Sequence, residues 1–203
     1  DEYFYTNGSG GALGAGFNET GIVKVGEPLG NFYGYVFDGI YQNEAEAKAL
    51  GLTKDDVGSV KFKDLNGDNK ITTEDRTIIG NANPDFIFGI GNDFSYKNFD
   101  LSFMFQGTYG NDVGPSSSRF VEDGSYIRLK NLTFGYTLPK SVTSKWGISN
   151  LRFYLSGQNL FTITGYSGYD PEVSSRTGNY NLGFDGGSYP ATRSYTFGLN
   201  LTL

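Results

Sequence analysis

The 203 residues carry 16 Lys and Arg against 22 Asp and Glu, a formal charge of -6, with neither cysteine nor histidine. So acidic a chain lacks the basic patches that phosphate backbones require, which argues against nucleic acid as a partner. The missing His and Cys remove the usual parts of general-base, nucleophilic and zinc chemistry. Phe (17), Tyr (15) and Gly (30) are abundant, as in a β protein with many turns. The mean hydropathy of -0.37 excludes a bundle of membrane helices but not a barrel, whose apolar residues alternate with polar ones.

Residues 1–25, rich in Gly, Ala and Asn, give no readable element beyond a Gly-rich strand or loop. Gly30 to Tyr41 (GNFYGYVFDGIY) reads as a strand or a substrate-facing aromatic wall, packing or an interfacial girdle being the commoner use of such rings. Asn43 to Leu50 (NEAEAKAL) is a series of helix formers and predicts a short surface helix.

The next segment, Asp64-Leu65-Asn66-Gly67-Asp68-Asn69-Lys70-Ile71-Thr72-Thr73-Glu74-Asp75, resembles an EF-hand or dockerin-type calcium loop. Hard cations want six to eight oxygens. Asp64, Asn66 and Asp68 stand at positions 1, 3 and 5, Lys70 offers its carbonyl at position 7, and Asp75 stands at position 12. Asn69 occupies the position that wants a left-handed glycine, a conformation asparagine tolerates better than most residues. Asp75 replaces the longer glutamate of helical EF-hands. The alternative is that Asp, Asn and Gly here simply make turns.

From residue 85 onward the pattern is alternation. Phe86, Phe88, Ile90, Phe94 and Tyr96 share one parity, as do Leu101, Phe103, Phe105 and Tyr109. Leu132, Phe134, Tyr136 and Leu138 follow, then Leu151, Phe153, Leu155 and Phe161, and finally Tyr195, Phe197, Leu199, Leu201 and Leu203. Successive strand residues face opposite sides, so each strand is apolar on one side. The other side carries Ser95, Asp100, Ser102, Gln106, Thr133, Arg152 and Gln158, the polar interior expected of a wide barrel. Predicted strands are 85–96, 99–109, 126–138, 149–161 and 193–203, and strands of about 9–11 residues cross a bilayer when tilted. Lys97-Asn98 and the Pro139 to Ile148 segment are the short connections; 110–125 and 162–190 are the long ones. In a barrel whose short turns lie inside and long loops outside, residues 38–84 fall outside. Tyr166, Tyr169, Tyr180 and Tyr189 belong to the last long loop and allow the same two readings as Gly30 to Tyr41. Asp170 and Glu172 are a carboxylate pair of the kind glycosidases use, with nothing to fix their spacing.

The runs at 26–42, 61–112, 117–139 and 157–173 resemble the C-terminal barrel region of SusC/RagA-like TonB-dependent transporters. The resemblance implies an all-β fold: part of a large, plugged, 22-stranded transmembrane barrel in the cell outer membrane. It implies import of glycans or peptides without catalysis, a SusD-like surface lipoprotein as lid, and contact with TonB through an N-terminal part missing from this chain. Between Asp112 and Ser117 the family usually runs a much longer outer excursion. The expected organisation is 1–25 unplaced, 26–84 an outer-loop region with a short helix and a calcium-type loop, and 85–203 transmembrane strands. The competing reading is a secreted, calcium-stabilised β-sandwich that binds carbohydrate or a surface partner. The two differ in what covers the apolar parity, outer-membrane lipid or a second sheet.

Overall fold

The computed structural model describes residues 2–6, 21–114, 117–172, 182–185 and 189–203. Tyr180, Pro115, Ser116 and most of the unplaced first 25 residues lie outside the described residues. In chain order the strands are β1 (Tyr3–Thr6), β2 (Gly21–Lys24), β3 (Asn31–Tyr35), β4 (Phe37–Ile40), β5 (Val60–Phe62), β6 (Arg76–Asn81), β7 (Phe86–Tyr96), β8 (Phe99–Tyr109), β9 (Asp112–Val113), β10 (Glu122–Asp123), β11 (Tyr126–Thr137), β12 (Asn150–Gln158), β13 (Thr162–Thr164) and β14 (Ser194–Thr202). Two short helices, α1 (Glu44–Ala49) and α2 (Lys140–Thr143), interrupt them.

Two compact units result. The first joins Asp1–Pro84 with Gly110–Asp123 and Glu172–Ser188; the second comprises Asp85–Tyr109, Gly124–Pro171 and Tyr189–Leu203. Two later stretches differ from their chain neighbours in clustering with the first 84 residues. Long-range bonds explain the difference. The Asn81 N–H donates to the Asp112 carboxylate at 2.9 Å, and the Phe37 N–H donates to Ser118 Oγ at 2.8 Å.

In the first unit, β1, β2, β3 and β6 form an antiparallel sheet, and β4 pairs with β5. Its buried apolar residues include Ile22, Phe32, Tyr41, Ala47 and Val113. Within the aromatic stretch 30–41, which β3 and β4 cover, Phe32 and Tyr41 are buried while Tyr33, Tyr35 and Phe37 are half-buried. The predicted helix is α1, and Asn43 caps it. Asn43 accepts the Glu46 N–H at 3.0 Å, the Glu46 carboxylate accepts the Gln42 N–H at 3.2 Å, and Lys48 pairs with Glu44 one turn away at 2.7 Å.

The second unit is one antiparallel sheet in the order β14-β12-β11-β8-β7, with β13 also pairing β11. β7 and β8 are joined by the tight Lys97-Asn98 turn. Lys97 takes φ 55, and the Asn98 side chain donates to the Thr137 carbonyl at 2.6 Å, tying the turn to the end of β11. Two irregularities depart from uninterrupted alternation. β11 shifts register against β8 between Leu129 and Asn131. The predicted strand 149–161 ends at Gln158, because Asn159 adopts φ 51; the chain rejoins β11 as β13. The Pro139 to Ile148 connection, expected as a plain link, contains α2 and a further helical turn at Ser144–Trp146.

Candidate functional site

Register places the apolar parities side by side across the sheet. Phe94, Leu101, Phe134, Leu155 and Phe197 form one continuous row, and Tyr96, Phe99, Tyr136, Phe153 and Leu199 the next. Rings touch across strands: Phe86 with Tyr109 at 5.3 Å, Phe94 with Phe103 at 6.0 Å, Phe99 with Tyr136 at 4.7 Å and Phe153 with Phe197 at 6.4 Å between centroids. These rows remain uncovered, with Phe94 55%, Phe134 48%, Leu155 56% and Phe197 72% exposed. So large an apolar surface on a water-soluble sheet would be sealed by another layer.

The opposite face is polar and internally bonded. Thr133 and Ser156 share a hydrogen bond of 2.9 Å within the row Asp93, Ser102, Thr133, Ser156 and Thr196. Arg152 on β12 grips Asp100 on β8 in a bidentate pair at 2.9 and 2.5 Å. Between them lies β11, whose residue at that point is Gly135. A Cβ there would collide with both the Asp100 carboxylate and the Arg152 guanidinium. The Tyr154 ring likewise lies over Gly198 of β14, in space a Cβ would fill, with the Arg152 guanidinium 5.2 Å from its centroid.

At the Tyr126 end of β11 the polar face closes on a buried ion pair. Arg128 is 2% exposed and Asp170 6%. Arg128 Nε donates to Thr162 Oγ1 at 2.8 Å, its guanidinium pairs with one Asp170 oxygen, and the other Asp170 oxygen accepts the Ala191 N–H at 2.8 Å. Thr164 Oγ1 donates to the Ser125 carbonyl at 2.8 Å and accepts the Tyr166 N–H at 3.1 Å. Asp170, considered from sequence beside Glu172, is thus held by Arg128. Nothing in the sequence marked Arg128, 42 residues away.

The Asp64 to Asp75 loop is built from side-chain oxygens accepting backbone N–H groups. Asp64 accepts from Gly67 at 2.6 Å and from Asn69 at 2.7 Å, Asn66 from Asp68 at 2.9 Å, and Asp68 from Lys70 at 2.8 Å. Asn69 takes the left-handed conformation, φ 61. Asp75 is fully buried, one oxygen accepting from Leu65 at 2.8 Å and the other from Thr72 at 2.7 Å. The Thr72 amide, with those of Leu65 and Asn66, holds its carboxyl below the usual carboxylate range against the opposing cost of burial. Among the described residues no three His, Cys, Asp or Glu side chains converge on one ion position. Asp64 and Asp68, with the Asn66 amide and the Lys70 carbonyl, remain a donor set suited to a weakly held hard cation.

A single antiparallel layer with strands of 9–12 residues, apolar and uncovered on one side and polar on the other, is the wall of a transmembrane β-barrel. No family model matches the chain. It is similar to the TonB-dependent receptor P3 of Formosa agariphila, 40% identical over 229 residues, which cover 90% of this chain and 23% of that protein. It is also similar to the receptor P26 of that organism, 35% identical over 88% of this chain and 23% of the relative. The TonB-dependent receptor SusC of Bacteroides thetaiotaomicron is 28% identical over 88% of this chain and 20% of its own length. Solved structures of the RagAB peptide importer superpose with TM-scores of 0.70 in the open-open state and 0.66 in the closed-closed state. They share 20% and 22% identity, cover 91% and 90% of this chain, and are themselves covered over 23% and 24% of their length. The chain belongs to the TonB-dependent receptors and spans about a quarter or less of the length of the relatives it matches.

Proposed function

We propose that this chain supplies barrel wall and outer loops to an outer-membrane importer of oligosaccharides or peptides. Such an importer is energised through TonB, capped by a SusD-like surface lipoprotein, and performs no catalysis. The observation that carries this reading is the uncovered apolar face. An 11-residue strand such as β7 or β8 is about 35 Å long, and at a tilt of about 45° it rises about 25 Å, the height of the lipid-facing band of such barrels. The edge strands β7 and β14 then pair with further strands of the complete transporter, because an open sheet edge is not viable in hydrocarbon. The test is uptake by cells that carry or lack the gene. Loss of TonB-dependent uptake of a glycan or peptide upon deletion is the expected result, and unchanged uptake of every cargo tried would count against it.

The Asp64 to Asp75 loop supports a second element of the proposal. Calcium is held by Asp64, Asn66, Asp68 and the Lys70 carbonyl, while Asp75 locks the ends of the loop through backbone amides. Its Kd belongs in the range of extracellular modules, about 10⁻⁴ to 10⁻³ M. Calorimetric titration of the complete protein shows heat well below about 10 mM calcium; a flat trace to that concentration refutes the site.

A further inference from the structure

A cavity of about 380 Å³ opens at the Tyr126 end of β11 among Arg128, Asn159, Thr162, Tyr169, Asp170 and Arg193. That volume falls in the range of small-molecule sites, about 300–1,000 Å³. The Arg128 charge in its floor is answered by Asp170. Arg193 is different: it is exposed, and among the described residues no carboxylate pairs with it. In a chain of net charge -6, a cation left at the mouth of a cavity selects for an anionic group.

The remaining lining narrows the class. Tyr169 is 82% exposed and presents a flat ring. Asn159, strained at φ 51, spends one side-chain N–H on the Thr192 carbonyl at 3.1 Å and keeps its amide oxygen for a hydroxyl. Thr162 accepts from Arg128 and can still donate its own hydroxyl hydrogen. One ring face, an amide, a hydroxyl and a guanidinium match a pyranose bearing an acid group: the sugar stacks on the ring, its hydroxyls meet the amide and Thr162, and the acid takes two N–H groups of the guanidinium. Pro171, Pro190 and Ala191 add small apolar surfaces to the same lining, and tighter binding of a peptide is the outcome that would reverse the choice of a sugar.

We propose that this cavity binds an acidic sugar residue of an imported oligosaccharide, with Arg193 receiving its carboxylate or sulfate group. The assignment rests on the importer reading and specifies its cargo. Calorimetry on the complete transporter in detergent tests it with trigalacturonate, the fully methyl-esterified form of the same trisaccharide, a sulfated galactotriose and triglutamate. Both acidic sugars bind, the ester binds at least about tenfold more weakly, and Arg193→Gln weakens the acidic sugars by about tenfold while leaving the ester unchanged. Tyr169→Ala weakens acid and ester alike, and Tyr169→Phe restores both. Unaltered affinity of Arg193→Gln for both acidic sugars overturns the assignment. So does tighter binding of triglutamate than of either, or no binding of either. Cellular uptake separates the two levels. No TonB-dependent uptake of any oligosaccharide or peptide removes the importer reading, whereas sustained uptake with unaltered Arg193→Gln binding removes only this assignment.

Discussion

Asp75 and Asp170 are both buried carboxylates, and they differ in what neutralises them. Amides satisfy Asp75, which has no cation in its set of bonds, and its carboxyl is stabilised in the charged form. A depressed folded-state pKa contributes stability that is complete above the ordinary carboxylate range and lost as pH falls through the folded value. Hydrogen exchange of the complete protein, corrected for intrinsic rates, therefore shows residues 64–75 protected at about pH 6 and loosened only below about pH 4, and Asp75→Asn loses this dependence. Asp170 instead answers Arg128 and ties Ala191 to the same point. Asp170→Ala takes a charge partner away from a buried guanidinium and costs about 3–5 kcal/mol, whereas replacing both partners by apolar residues of similar volume costs much less. Thermal loss of heat-modifiable mobility on gels reads the difference. The bends of the Asp64 to Asp75 loop, down to the left-handed Asn69, were legible because its parts lie within twelve consecutive positions, whereas the Arg128–Asp170 pair joins residues that only the strand pairing brings together.

Strands were legible where one face meets a single kind of medium. From Phe86 to Tyr109, and again from Ser194 to Thr202, two-residue alternation is almost unbroken and the elements match the expectation closely. Short strands of the first unit were hidden. β6, for example, reads Arg-Thr-Ile-Ile-Gly-Asn, with adjacent isoleucines on opposite faces. Register shifts at Leu129–Asn131 and the break at Asn159 depend on how neighbours pair, which no single strand encodes. The glycine of β11 is part of the same logic. Gly135→Ala makes the ends of the Asp100 and Arg152 side chains give way and costs about 1 kcal/mol. In an Arg152→Ala background the added cost shrinks, because one of the two clashing groups is gone and the Asp100 carboxylate, no longer held by Arg152, can turn aside. A double-mutant cycle on unfolding free energies gives the coupling, and a coupling of zero would show that the ion pair does not press on that position.

The complete sheet makes one face answer to hydrocarbon and the other to water. Arginine at Phe103 or Phe197 places charge on the apolar face and costs about 2–4 kcal/mol near the midplane, while arginine at Ser102 or Thr196 is tolerated. Assembly of the full-length protein, scored by heat-modifiable mobility, should fail for the first pair only; equal outcomes on both faces would restore the soluble sandwich. On the polar face, Tyr154 and the Asp100–Arg152 pair recline across neighbouring strands over Gly135 and Gly198 rather than standing away from the sheet. The polar face of the sheet is consequently low in relief at this level, its height set by the thickness of a reclining ring or guanidinium.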